Sequence, residues 1–189
     1  NAQLRSYEHV SKTGESSLNL LGDLLPEEKQ ELTALFQKYD NLVIAEKILP
    51  PQILAPQTIN PEQVGFVDIV PDSDQHLRRI ILGTTNPINV HDLDDFKFSF
   101  TIRLADKYLS SKGYVLKNGI KNPDAMRYGN TEIPLIKKNY GGYIDIDDGG
   151  IQTFINYRQN LIPFNELSVS DIKKGEYPTE QLSNNIIII

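Results

Sequence analysis

Leu77-Arg78-Arg79-Ile80-Ile81-Leu82-Gly83, followed after a short interval by Ser99-Phe100-Thr101-Ile102-Arg103-Leu104-Ala105-Asp106-Lys107-Tyr108-Leu109, decides how this chain is read. The first stretch is a short apolar run headed by charges and closed by glycine, which is the pattern of a buried strand. In the second, Phe100, Leu104 and Tyr108 recur every four residues beside Ile102, Ala105 and Leu109. That spacing predicts a helix from about Asp95 to Ser111, with Gly113 as its C-cap. Upstream, Val64-Gly65-Phe66-Val67-Asp68-Ile69-Val70 alternates weakly and breaks at Pro71-Asp72-Ser73-Asp74, so two strands joined by a polar turn are expected. Leu25-Pro26-Glu27-Glu28 opens another helix, with proline where its missing N–H is harmless and two carboxylates near the positive end of the dipole. Leu32, Leu35, Phe36 and Tyr39 line one face of it, and Leu42-Val43-Ile44-Ala45 follows as a short buried strand. Helices and strands in alternation give the expected class, α/β. The expectation is a single domain of two or three layers, with a mixed central sheet flanked by helices.

The second half is richer in turns. Asn118-Gly119 and Gly129-Asn130 are turn dipeptides. Gly141-Gly142-Tyr143-Ile144-Asp145-Ile146 leads through Asp147-Asp148-Gly149-Gly150 into Ile151–Arg158, which predicts a β-hairpin. Ser168-Val169-Ser170-Asp171 is a near capping box and Gly175 closes a short helix. The chain ends on Ile186-Ile187-Ile188-Ile189, a β-branched run that reads as a buried strand cut short. It begins at Asn1 rather than Met, so it reads as an excised piece: residues 1–4 as an unstructured lead, 5–189 as one domain truncated at both ends.

The chain has 189 residues, enough for one well-buried domain. Lys and Arg number 19 against 25 for Asp and Glu, a net charge of -6 with no basic run, which argues against a nucleic-acid partner. Cysteine is absent, excluding disulfides, thiolate metal sites and a cysteine nucleophile. No stretch approaches the ~18 to 20 consecutive apolar residues of a transmembrane helix, and no secretory signal is present.

Motifs for catalysis are missing. Three carboxylates at Asp145, Asp147 and Asp148 invite a calcium reading, but Gly149 and Asn156 stand where an EF-hand requires an oxygen donor and a bidentate Glu, so a turn is favoured. His9, His76 and His91 form no metal-ligand pair by spacing. There is no G-x-S-x-G elbow and no phosphate-cradling glycine loop. Acidic pairs could still converge in three dimensions. The residues give no positive sign of an enzyme, a cofactor or a metal.

Two features call for an explanation. Arg78-Arg79 opens an apolar strand, so one guanidinium points to each face and one needs a buried partner. Pairing with Asp72, Asp74 or Asp68 is the structural reading, and contact with an anionic ligand is the functional one. Asn156-Tyr157-Arg158 places polar groups after an apolar run, as at a strand terminus.

Read in order, Gly65-Phe66-Val67-Asp68, Asp72 with Arg78-Arg79, Ser99-Phe100 with Arg103-Leu104-Ala105 and Tyr108-Leu109, Gly141-Gly142-Tyr143, Asp147 with Gly149-Gly150-Ile151-Gln152, Asn156-Tyr157-Arg158, and Pro163-Phe164 resemble the CHASE family of type two, the cyclase/histidine-kinase associated sensory extracellular domains. The resemblance runs from about Arg5 to Ile189. It implies a non-catalytic sensory domain of a bacterial receptor on the extracytoplasmic, periplasmic side of the cytoplasmic membrane. An N-terminal transmembrane helix would precede it, and further ones would lead to a cyclase, histidine kinase, Ser/Thr kinase or caspase-like output. This sequence departs from the family at Gln75, where a glycine is common, and lacks early strand-forming segments. The family brings no catalytic residues and no general ligand. Arg78, Arg79, Gln152 and Arg158 are the contacts expected if a small-molecule or protein signal binds. Contact with the membrane is expected only through flanking helices; receptors of this plan commonly pair, so a homodimer is one arrangement the resemblance allows, while the sequence leaves the oligomeric state open. Displacement of the Ile186–Ile189 strand would carry the signal onward. A free-standing periplasmic solute-binding or interaction domain is the alternative reading.

Overall fold

The computed structural model describes residues 25–86, 95–157 and 164–189. Helix α1 spans Pro26–Lys38, with Pro26 at its first position and Glu27 and Glu28 in its first turn. The Leu25 N–H donates to Glu28 Oε2 at 2.9 Å, so the acidic side chain satisfies a backbone donor that the helix cannot. Of the face expected to be apolar, only Phe36 is buried; Leu35 and Tyr39 are half exposed.

Strand β1, Ile44–Glu46, pairs in parallel with β2, Val64–Phe66, which a 3-10 turn at Pro61–Gln63 introduces. Strand β3, Arg79–Thr85, is central in an antiparallel sheet, between β4, Phe96–Phe98, and β8, Ile151–Phe154. A single parallel bridge, Phe66 to Ser99, links the parallel pair β1-β2 to the three-stranded antiparallel sheet; these remain two small sheets where one mixed central sheet was expected. Helix α2, Phe100–Ser110, starts at Ser99, whose hydroxyl accepts from the Ile102 N–H at 3.3 Å. Strands β5, Leu116–Asn118, β6, Met126–Tyr128, and β7, Thr131–Glu132, form a separate antiparallel meander, with Gly129-Asn130 as the two-residue loop between β6 and β7. Helix α3, Val169–Lys174, is capped by Ser168, which accepts from the Asp171 N–H at 3.0 Å, and ends at Gly175 with φ +73°.

The core forms where three elements meet. Leu82 of β3, Ile102 of α2 and Met126 of β6 are buried together, with Ile80, Phe98, Leu116, Ile133 and Ile151 packed around them. Ile80 and Leu82 lie on one face of β3, so the pleat leaves Arg79 on the opposite parity. Phe66 and Ile48 are the most completely buried large side chains. Gly65 lets α2 approach β2: a Cβ there would stand 2.5 Å from the Phe100 Cα and 2.7 Å from its nitrogen.

The α/β class holds, while several element boundaries are corrected. The strand expected over Val64–Val70 stops at Phe66, because the Asp68 carboxylate turns inward to accept the N–H groups of Ile48 and Leu49 at 2.7 and 2.9 Å. Residues 96–98, expected as helix, form β4, which completes hydrogen bonding along β3 before Ser99 starts the helix. Strand β3 runs through Gly83 rather than ending there, and Gly83 leaves room for the Phe96 ring, which a Cβ would meet at 2.7 Å. The hairpin expected over 141–158 has one arm only. β8 pairs with β3, while Gly141 and Asp145 take positive φ values that break an extended arm. Residues 186–189 form no strand: exposure rises from 46% at Ile186 to 98% at Ile189. A strand needs a neighbour to supply its ladder, and β8 is already bonded by the 136 segment, Ile136 N–H to Gln152 O at 2.9 Å.

Candidate functional site

Three of the four residues singled out from the sequence meet at one place, at the start of β3. The preceding segment folds on itself: the Asp72 N–H donates to His76 O at 2.9 Å, the Gln75 N–H to Asp72 O at 2.8 Å, and Gln75 takes φ +65° where glycine is easier. This turn delivers the Asp72 carboxylate, 7% exposed, to the face of β3 that carries Arg79, 6% exposed. Arg79 Nε donates to Asp72 Oδ1 at 2.8 Å, and its NH1 donates to Gln152 Oε1 at 2.9 Å and to the Asp147 carbonyl at 3.1 Å. Gln152 of β8, itself buried, donates its Nε2 to the carbonyls of Asp147 and Gly149. Tyr143 closes the cluster, its hydroxyl donating to Asp72 Oδ2 at 2.6 Å while its ring stands 5.6 Å from the Arg79 guanidinium and 5.7 Å from the Phe154 ring.

Arg78 points the other way and is half exposed. It grips Asp74 with two hydrogen bonds, 2.8 and 2.7 Å, and reaches Asp72 Oδ2 at 3.1 Å. One guanidinium per face, paired with Asp72 and Asp74, is the arrangement that the sequence implied. Asp68 is not a partner of either arginine, being committed to the 48–49 backbone. Arg158 lies outside the described residues.

The electrostatics follow from these contacts. The Tyr143 hydroxyl, joined by Arg79 and Arg78, holds the Asp72 carboxyl below the usual range against the opposing effect of burial. The same hydrogen bond raises the Tyr143 phenol. Arg78 and the His76 N–H hold Asp74 far below the ordinary carboxylate value. The cluster is therefore charged and internally compensated at neutral pH, tying three segments together: the 72–78 turn, the 143–150 loop and the β3–β8 ladder. Neither Tyr143 nor the Asp147 carbonyl was legible as a member, since a backbone acceptor has no residue signature and Tyr143 sits in a glycine turn.

The carboxylates of the Asp145–Asp148 stretch have internal duties. Asp145 pairs with Lys138, Asp147 accepts the Gly149 N–H at 2.9 Å, and Asp148 accepts the Lys138 N–H at 2.8 Å. Among the described residues no group of three or more His, Cys, Asp or Glu is placed to hold a metal ion, and no helix is long and apolar enough to cross a membrane.

A second feature had no sequence signal at all. The C-terminal end of α1 and the loop before β2 flank an open cleft of about 440 Å³, with the buried Phe36 and Ile59 and the exposed Asp40 and Asn60 in its lining. Gln63, buried beside it, donates Nε2 to the carbonyls of Tyr39 and Leu42 at 2.8 and 3.2 Å and so pins the end of α1 to the lead into β1.

Neither the curated proteins nor the solved structures include a match to this chain. The family model described as CHASE2 domain matches residues 7–189, almost its whole length. The order of motifs from Gly65 to Phe164 and this match agree, and the chain belongs to the CHASE2 family of extracellular sensory, non-catalytic domains found in signalling receptors.

Proposed function

We propose that this domain is the input module of a bacterial transmembrane receptor. It sits on the periplasmic side and passes a ligand-driven or conformational signal to a cytoplasmic output such as a cyclase, histidine kinase, Ser/Thr kinase or caspase-like module. The observation that carries the reading is the family match over residues 7–189. A sensor responds only by as much as its signal favours one conformation over another, so it needs an element that can exist in two arrangements. The Asp72 cluster supports that requirement, because a few charge-assisted bonds join the 143–150 loop to the 72–78 turn. In this reading Arg78 contacts the signal through its solvent-facing side, Arg79 and Gln152, buried in the closed cluster, are reached by it only when the cluster opens, Arg158 is a further contact, and two copies of the domain pair across the membrane-anchored receptor.

The test is made in the full-length protein. Deletion of residues 25–189, or their replacement by an unrelated periplasmic domain, is expected to uncouple output from any external stimulus while leaving the output module active. Output that stays stimulus-dependent without the domain overturns the reading. Arg78→Ala separates the arginines' roles, since an unchanged affinity for the signal removes Arg78 from the contacts.

A further inference from the structure

The geometry points to the cleft between α1 and the 57–63 loop as a binding site for a small, neutral, polyhydroxylated solute of the sugar or polyol class. Its volume, about 440 Å³, is within the range of small-molecule sites. The polar lining comes from Gln37, Asp40, Gln57, Thr58, Asn60 and Gln63. It contains amides, a hydroxyl and one carboxylate and, among the described residues, no lysine, arginine or histidine. A hydroxyl group both donates and accepts, and side-chain amides match it in both roles, while a carboxylate accepts from two neighbouring hydroxyls at once. A phosphate or carboxylate ligand would face Asp40 and would find no cation among the described lining residues, which disfavours anions. Phe36, Ile59 and Pro61 are the apolar part of the lining, against which the C–H face of a ring can pack. Gln63 has both amide hydrogens engaged by the Tyr39 and Leu42 carbonyls, leaving its oxygen as the atom it can offer.

The position of the cleft gives an occupant leverage. Helix α1 buries a single residue, Phe36. Two hydrogen bonds, Thr33 Oγ1 to Thr58 Oγ1 at 2.7 Å and Gln63 Nε2 to the Tyr39 carbonyl at 2.8 Å, tie it and its C-cap to the segment that forms the opposite wall. A solute bridging Asp40 and Gln37 to Gln57 and Asn60 adds bonds between the same two pieces and fixes α1 onto the 58–63 segment. That segment continues directly into β2, which pairs with β1 and is bridged to Ser99 at the start of α2. The use of this site as a receptor input rests on the sensory reading; the binding itself does not.

The experiment is an NMR titration of the 189-residue chain with arabinose, glucose and myo-inositol, and separately with sodium phosphate and succinate. Each solute is taken to about 50 mM, enough to saturate a millimolar site. Saturable shifts confined to amides of residues 36–40 and 57–63 are expected from at least one neutral solute and from neither anion. Asp40→Ala, a surface change, should weaken that binding roughly tenfold, and amide exchange across residues 26–38 should slow when the solute is bound. Absence of saturable shifts from every neutral solute overturns the inference, as do shifts produced equally by the anions or an Asp40→Ala protein that binds unchanged. Binding by the chain combined with receptor output that ignores the same solute leaves the site standing and overturns the sensory reading of it.

Discussion

At Asp72 one carboxylate takes hydrogen bonds from two arginines and a phenol, and most of what the start of β3 does follows from that. Arg79→Met leaves the Asp72 charge nearly buried with only Arg78 and Tyr143 to compensate it, and should lower stability by about 3 kcal/mol in urea unfolding. Replacing both partners, Asp72→Leu with Arg79→Met, should recover much of that loss, because a dry apolar pair carries no desolvation penalty. An additive double variant would contradict the pairing. The pH dependence has a fixed sign. The folded Asp72 carboxyl lies below its unfolded value, so its contribution is complete above an unfolded pKa of about 3.9 and fades as pH falls through the lower folded value. The difference in unfolding free energy between the native chain and Asp72→Asn should therefore be constant from pH 7 to about 5 and shrink only in stronger acid. The phenols act in the opposite range: Tyr128, raised first by burial and then by Asp106, and Tyr143, raised by Asp72, contribute stability that is lost as pH rises above about 10.

Among the elements, the closest approach is that of α2 to β2 over Gly65. Gly65→Ala places a methyl group against the Phe100 backbone, which cannot move without displacing the helix and Ile102 with it. A loss of at least about 2 kcal/mol is expected, visible as a lower urea midpoint. Gly150 is constrained twice, by φ +72° and by a Cβ position 2.8 Å from the Gly83 carbonyl, at the bulge where β8 slips register against β3. Gly150→Ala should destabilise the chain comparably and loosen the Gln152 contacts.

Elements whose signal is local were legible in the sequence. Pro26 with Glu27 and Glu28 fixed the start of α1, Ser168 and Gly175 bounded α3, and the four-residue spacing from Phe100 to Tyr108 marked α2. The failures occurred where a distant partner decides. Residues 96–98 became strand because β3 had an edge to fill. Tyr143–Ile146 did not, because Tyr143 is drawn to Asp72, 71 residues away. Ile186–Ile189 have high strand propensity but pair with no strand among the described residues. For the same reason Arg79 and Asp72 could be paired from sequence, being seven residues apart, whereas the Asp147 carbonyl and the α1 cleft could not.

At the scale of the whole molecule, order should be graded. The Leu82, Ile102 and Met126 cluster joins β3, α2 and β6, so amides there should exchange only on global unfolding. Helix α1, holding on by Phe36, and residues 164–189, in which no side chain of described burial is buried, should exchange through local opening. The proposed outward position of the domain is the claim on which the rest depends, and the chain offers a clean probe of it because it contains no cysteine. Lys112→Cys, an exposed position after α2, can be introduced into the full-length protein and intact cells treated with a small maleimide that does not cross the cytoplasmic membrane. Modification of the peptide carrying position 112 in unbroken cells, to the same extent as after lysis, is the predicted result; modification only after lysis would place the domain in the cytoplasm and contradict the account.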